Sequence, residues 1–212
     1  MKKIMMRIVR NFYKDPDAMR QMALEAKYCL ISAGNFVGRD TLDMAITTPE
    51  LEKNIKKLFP GDNFKVIRSR FRSAIEGDTH LTFVHSDASD VKQGWHILIY
   101  LTKDPKIKDG LVLYDHVEHG KICKDYKKEF MQTDTVRFDK FRPWKVQPYE
   151  YNTAVILDYA YFHSPMHHTG FGDCLENSRL IHIIEVVDTN SSTYEERMAF
   201  EGVSESLDKH PN

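Results

Sequence analysis

The chain has 212 residues, 42% hydrophobic and 11% aromatic, which suits one domain with a sizeable core. Its 30 Lys and Arg against 31 Asp and Glu leave a formal net charge of -1, so nothing in bulk drives it toward nucleic acid or an anionic membrane. Cys29, Cys123 and Cys174 lie far apart without a CxxC pair, which argues against a disulfide framework or a cysteine zinc site and for free thiols in a reducing cytoplasm.

In chain order, Ile4 to Val9 alternates weakly and predicts an opening strand. The start Met1 to Arg7 is too short and too charged for a secretory leader, and no apolar run is long enough to span a membrane. Asp15-Pro16-Asp17 predicts a helix start, with Asp15 as N-cap and Pro16 in the first turn. That helix is expected to run to about Tyr28, with Ala18, Met22, Leu24 and Ala26 on its apolar face. Residues 32–41 read as a loop carrying Gly34 and Gly38. Thr48 before Pro49 predicts a second cap, and Leu51, Ile55 and Leu58 mark one face of a helix that Pro60-Gly61 ends.

From Phe64 the apolar period becomes two. The stretch Phe64 to Arg72 predicts a strand with Arg68, Arg70 and Arg72 on one face, read as a solvated stripe rather than a phosphate or nucleic-acid groove. Further strands are expected near 79–85, 95–102, 110–115, 153–158 and 179–187. Between them, 116–148 is polar and aromatic, with a short helix around Lys124 to Gln132 and a strand or extended loop over 140–146. The tail, 189–212, is polar, with a short helix over Tyr194 to Phe200. Helices first and strands afterwards predict an α+β chain whose core is a jelly roll, a double-stranded β-helix with N-terminal supporting helices. As one domain over 1–212, it would have helical support over about 15–60, a barrel over about 64–187, and the tail.

The most informative stretch is Thr82-Phe83-Val84-His85-Ser86-Asp87. On a strand, residues two apart point to the same face, so His85 and Asp87 would project side by side. A second imidazole from a distant segment would complete a set of two histidines and one carboxylate, which binds Fe(II) while leaving coordination positions open. His163 is favoured because it follows the apolar strand Ala154 to Leu157; His168, in the glycine-containing loop His167 to Asp173, is its rival. 2-Oxoglutarate would fill two open positions, and its far carboxylate would need a cation. Arg179 on the following strand can supply one by bidentate pairing. Tyr100 is either a hydrogen-bond donor to a co-substrate carboxylate or a core tyrosine with a satisfied hydroxyl. Trp95 and His96 must face opposite ways, and His116 is a weaker candidate for the substrate side.

These pieces resemble the 2-oxoglutarate/Fe(II)-dependent dioxygenase superfamily, nearest to its prolyl-hydroxylase-like branch. They look closer still to a phage and marine-bacterial group within it. The resemblance rests on Asn11 to Arg20, Gly34 to Thr41, Val84 to Asp87, Phe162-His163-Ser164, Phe171-Gly172 and Ser178-Arg179-Leu180. It implies metal ligation by His85, Asp87 and His163, and a co-substrate role for Arg179. The cofactor set would be Fe(II), 2-oxoglutarate and O2, in a hydroxylase of the cytoplasm, the host's if the chain is phage-encoded. Many prolyl hydroxylases have Lys where Arg179 stands. Demethylases of nucleic acid carry a second Arg where this chain has Glu185, which counts against a nucleic-acid target. A small molecule or a peptide side chain is the expected substrate, with no membrane partner; oligomeric state is not written in these residues. Two alternatives stand beside this reading: a non-catalytic jelly-roll binding module, and a cupin-type metalloenzyme that does not use 2-oxoglutarate.

Overall fold

The computed structural model describes residues 6–30, 38–78, 84–87, 93–105, 108–123, 134, 136–165 and 170–190. The expected helices at Lys124 to Gln132 and Tyr194 to Phe200, and the rival ligand His168, lie outside the described residues. So do most of the loop expected over 32–41 and most of the strand expected near 79–85.

Two helices precede most of the sheet. Helix α1 spans Pro16–Glu25 and helix α2 Pro49–Leu58. Both begin as the sequence predicts: Asp15 accepts from the Ala18 N–H at 3.0 Å, Thr48 accepts from the Leu51 N–H at 3.1 Å, and a proline opens each first turn. Helix α1 stops three residues early, because Tyr28 already belongs to a strand; its buried residues are Met19 and Ala23, and of the expected set Leu24 and Ala26 pack partly buried against the same core. Met22 and Ala18 point to solvent. Helix α2 buries Leu51, Ile55 and Leu58 as expected.

The strands are β1 (Met6–Arg10), β2 (Tyr28–Leu30), β3 (Arg39–Thr41), β4 (Phe64–Ala74), β5 (Gly94–Tyr100), β6 (Asp109–His116), β7 (Phe141–Pro148), β8 (Thr153–Asp158), β9 (His163–Pro165) and β10 (Arg179–Asp188). They form a seven-stranded sheet in the order β1-β8-β5-β10-β4-β3-β2 and a three-stranded sheet in the order β7-β6-β9. Every pairing in both is antiparallel. The large sheet therefore recruits β1, β2 and β3 from ahead of the stretch expected to form the barrel. Part of the predicted loop over 32–41 is strand β3, which pairs with β4.

Alternation along the central strands separates two interiors. On one face of the large sheet, Ile97, Ile99, Ala154, Ile156, Leu180, Ile184 and Val186 pack with Met19, Ala23, Leu51, Ile55 and Leu58 of the helices. On the other, Leu98, Tyr100, Val155, Leu157, Ile181 and Ile183 pack against Leu111 and Leu113 of the small sheet. Each buried Leu or Ile contributes roughly 1.5–3 kcal/mol relative to exposure. The second interior is where the candidate site residues gather. No helix among the described residues is long and apolar enough to cross a membrane.

Candidate metal centre

His85 and His163 are tied by their backbones before their rings meet. The two residues form an antiparallel bridge, His85 N–H donating to the His163 carbonyl at 3.0 Å and His163 N–H to the His85 carbonyl at 2.8 Å. His163 also opens β9, where it pairs with Leu113. A bridged antiparallel pair brings side chains within a few ångströms, and here the ring centroids stand 4.5 Å apart. Asp87 joins them. Its Oδ1 lies 3.8 Å from His85 Nε2 and its Oδ2 lies 3.3 Å from His163 Nε2. Between the ligands, Ser86 turns away and its hydroxyl donates to the Tyr159 carbonyl at 2.8 Å. Both histidines are buried.

One ligand atom from each of His85, Asp87 and His163 lies within 4.8 Å of the others. The donor set suits Fe(II): two imidazole nitrogens and a carboxylate oxygen meet a borderline cation without filling its coordination sphere. His163 is also prepared for this task. Its Nδ1 stands 2.9 Å from the Tyr161 carbonyl, which can only accept, so the ring proton sits on Nδ1 and the Nε2 lone pair is left to face Asp87.

Charged residues surround this cluster. His96 on β5 places Nδ1 3.3 Å from Asp87 Oδ2 and Nε2 3.8 Å from Glu185 Oε1. Burial is the main force on that imidazole and outweighs both carboxylates, pushing its pKa down to about 4. Glu185 in turn accepts from Arg70 Nη1 at 2.6 Å, with Arg68 Nη1 at 3.7 Å. Arg70 and Arg72 both bond Asp40 of β3, at 2.8 Å through Arg70 Nε and 2.7 Å through Arg72 Nη2. Burial alone would raise the Asp40 pKa, but the two guanidiniums together hold it below the usual carboxylate range. The expected solvated stripe of arginines is thus corrected. Arg70 and Arg72 are buried, because their strand face looks into the space between the sheets and two acidic residues there neutralise them. Only Arg68 reaches partly into solvent.

Arg179 opens β10 on the same inward face as Ile181 and Ile183. It is 7% exposed, and no hydrogen bond or ion pair engages its guanidinium among the described residues. Its charge is felt by Arg72, Tyr100 and Tyr149. Tyr100 is fully buried, stacks on Tyr149 with centroids 4.1 Å apart, and its hydroxyl meets no hydrogen-bond partner among the described residues. Gly110 is what lets that hydroxyl in: a Cβ there would stand 2.6 Å from Tyr100 Oη. Tyr149 is by contrast satisfied, donating to the Leu180 carbonyl and meeting Thr102 Oγ1 at 2.9 Å.

The remaining expectations divide. Of the pair Trp95 and His96, Trp95 packs under the helices and His96 faces the cluster. His116 packs under Phe141 and Phe162, where its Nδ1 accepts from the Glu118 and His119 N–H groups. The three cysteines are free. Sequence reading missed the roles of Asp40, Arg70, Arg72 and His96. Their signal was present: Glu185 lies within the apolar run Ile183 to Val187, and a buried acid calls for a cation on the neighbouring strand.

No protein-family model matches the chain, and no curated protein matches it. Solved structures do. The chain is similar to the non-heme alpha ketoglutarate dependent epimerase SnoN from nogalamycin biosynthesis, with a TM-score of 0.59 and 12% identity over 86% of this chain and 78% of that one. It is similar to an oxidoreductase of the 2OG-Fe(II) oxygenase family from Burkholderia pseudomallei, with a TM-score of 0.54 and 12% identity over 90% and 87% of the two chains. HygX from Streptomyces hygroscopicus, solved with nickel and 2-oxoglutarate bound, gives a TM-score of 0.53 at 11% identity over 87% and 83%. At such identities the likeness is one of fold: two facing antiparallel sheets arranged as in these 2-oxoglutarate-dependent proteins.

Proposed function

We propose that the protein is an Fe(II)- and 2-oxoglutarate-dependent dioxygenase on a double-stranded β-helix, hydroxylating an unactivated C–H bond of a small molecule or a protein side chain. The observation that carries this reading is the pairing of two features in one interior. A His85, Asp87 and His163 donor set lies between the sheets. A buried guanidinium at Arg179, with no anion among the described residues, projects its charge onto Tyr100, whose hydroxyl has no hydrogen-bond partner among them. A buried, unneutralised Arg is costly unless an anion reaches it. Arg70 and Arg72 cannot serve, because Asp40 and Glu185 already hold them. A dicarboxylate that chelates the metal at one end would satisfy both Arg179 and Tyr100 at the other. The fold shared with solved 2-oxoglutarate-dependent proteins supports the same reading.

Each residue then has a defined task. His85, Asp87 and His163 would hold the iron. Bound iron and 2-oxoglutarate supply the oxidising chemistry, consuming O2 and releasing succinate and CO2 as the target C–H is hydroxylated. His163 keeps its proton on Nδ1 through Tyr161, so Nε2 stays a ligand. Arg179 would fix the far carboxylate by charge-assisted hydrogen bonds, and Tyr100 would donate its O–H to the same group. Burial keeps that hydroxyl protonated, because desolvation raises its pKa further than the Arg179 charge lowers it. Leu98, Leu111, Leu113 and Ile181 wall the interior with apolar surface and limit water near the reacting centre.

Anaerobic addition of Fe(II) and 2-oxoglutarate to the purified protein should give a weak visible charge-transfer band, absent in His85→Ala. Admitting O2 should then release succinate slowly even without a primary substrate. A protein that binds Fe(II) but gives neither band nor succinate would overturn this reading in favour of a metalloenzyme of another kind.

A further inference from the structure

The three metal-binding residues do not explain why a histidine, a glutamate and an arginine stand buried in a row behind one of them. The row runs from Asp40 through Arg70 to Glu185, from Glu185 Oε1 to His96 Nε2 at 3.8 Å, and from His96 Nδ1 to Asp87 Oδ2 at 3.3 Å. The other inward side chains of β5, Leu98 and Tyr100, belong to the apolar cluster between the sheets. An imidazole in that series costs desolvation that a leucine would not.

We infer that His96 is a positioning residue for the metal-binding carboxylate: its Nδ1 faces Asp87 Oδ2 at 3.3 Å, just outside hydrogen-bonding geometry, and when a metal draws the carboxylate in, Nδ1–H would donate to Oδ2 and leave Oδ1 as the oxygen offered to the metal. The inference rests on the metal-binding reading of the proposed function. The terminal torsion of an aspartate is soft and roughly two-fold, so its two oxygens exchange easily unless a neighbour distinguishes them. Oδ2 faces two imidazoles, His163 and His96, while Oδ1 faces His85. If either oxygen could ligate, the site would relax between arrangements.

The direction in which that hydrogen bond would form follows from the surroundings. A neutral imidazole has one N–H. Glu185 is already bonded by Arg70 at 2.6 Å and approached by Arg68 at 3.7 Å, so it gains little from a third donor at 3.8 Å. Asp87 is nearer. The proton therefore belongs on Nδ1, and the packed Glu185 and Arg70 fix the plane of the ring from behind. Outer partners of this kind typically govern metal affinity by about 10- to 100-fold.

The test uses Co(II) alone, without 2-oxoglutarate or O2, and reads the dissociation constant and the d–d absorption bands. His96→Leu should weaken Co(II) binding about 10- to 100-fold and shift the bands, because the carboxylate loses its anchor. His96→Asn places an amide N–H near the position of Nδ1, and should restore the wild-type bands and most of the affinity. If His96→Leu does not fold, His96→Met, which adapts to irregular pockets, replaces it with the same expectation. Wild-type bands and affinity in the Leu or Met variant would overturn the positioning role. So would an Asn variant as impaired as the apolar one, since the hydrogen bond would then not be what matters. A wild-type protein that binds no Co(II) would instead sink the metal reading itself.

Discussion

The two faces of β10 both carry polar side chains, but to different ends. On the face under the helices, His182 sits among Leu180, Ile184 and Val186 and is fully buried. Both of its nitrogens are engaged, Nδ1 with Tyr13 Oη at 2.8 Å and Nε2 with Ser69 Oγ at 2.8 Å. On the face between the sheets, Arg179 and Glu185 flank Ile181 and Ile183. Glu185 closes an ion-pair network, but Arg179 closes nothing among the described residues. The contrast teaches that polarity in a core does not mark a site. An unfinished polar arrangement does, because a folded chain rarely leaves buried polar groups without partners unless a ligand supplies them.

Substitutions on the two faces should therefore fail differently. Phe71 is fully buried and packs on the His182 ring with centroids 4.7 Å apart. Phe71→Ala should cost about 3–5 kcal/mol of stability in urea unfolding, with the Co(II) affinity of the folded fraction unchanged. Arg179→Leu should do the reverse. Removing an unpaired buried charge should leave stability equal or higher, while 2-oxoglutarate binding to the Mn(II)-loaded protein should fall about 100-fold by calorimetry, the equivalent of about 3 kcal/mol. A large stability loss in Arg179→Leu would mean that its guanidinium is structural, and the comparison between the faces would break.

Acid sharpens the same comparison. Burial is the chief cause that drops the His182 pKa from 6.5 to about 3, with the Arg70 charge adding to it. The unfolded chain therefore binds a proton that the folded chain refuses between those two values. Its contribution to stability is whole above about pH 6.5 and is lost as pH falls toward about 3, by at most about 1.4 kcal/mol per pH unit for this one group. His182→Phe removes that slope. It also leaves Tyr13 and Ser69 short of a partner, which costs about 1–3 kcal/mol at neutral pH. Thermal melts of the two proteins should differ most above pH 6.5 and converge as the pH is lowered.

How much of this could be seen in the sequence depended on the range over which each determinant acts. The caps at Asp15 and Thr48 and the apolar spacing of Leu51, Ile55 and Leu58 are local, and the helix starts follow from them. So does the period-two pattern of β4. The side to which β4 turns its arginines is not local. It is fixed by pairing with β10 and β3, which brings Glu185 and Asp40 against Arg70 and Arg72. Read alone, alternating arginines look solvated. At the site, His85, Asp87 and His163 could be picked out by residue type and spacing, and the structure brings the three together. His96 could not, because its relation to Asp87 depends on where β5 lies beside a segment distant in sequence. The apolar face of helix α1 was legible only in part for a related reason: Leu24 and Ala26 pack on the core, but the docking angle on the sheet selects Met19 and Ala23 beside them and leaves Met22 and Ala18 in solvent.

The smallest effect isolates the helical face from the site. Thr48 Oγ1 accepts from the Leu51 N–H, and α2 makes its buried contacts in the cluster that excludes His85, Asp87 and His163. Thr48→Ala should cost about 1 kcal/mol of stability, the usual worth of an N-cap hydroxyl. Fraying of the first turn would loosen Leu51 against the sheet without moving β5, whose inward residue His96 lies on the opposite side of the strand from Trp95 and Ile97. The urea midpoint should therefore shift while the Co(II) bands and affinity stay at wild-type values. A change in those bands would mean that strain on the helical face passes through the sheet to Asp87, and that the two faces of the sheet are mechanically one.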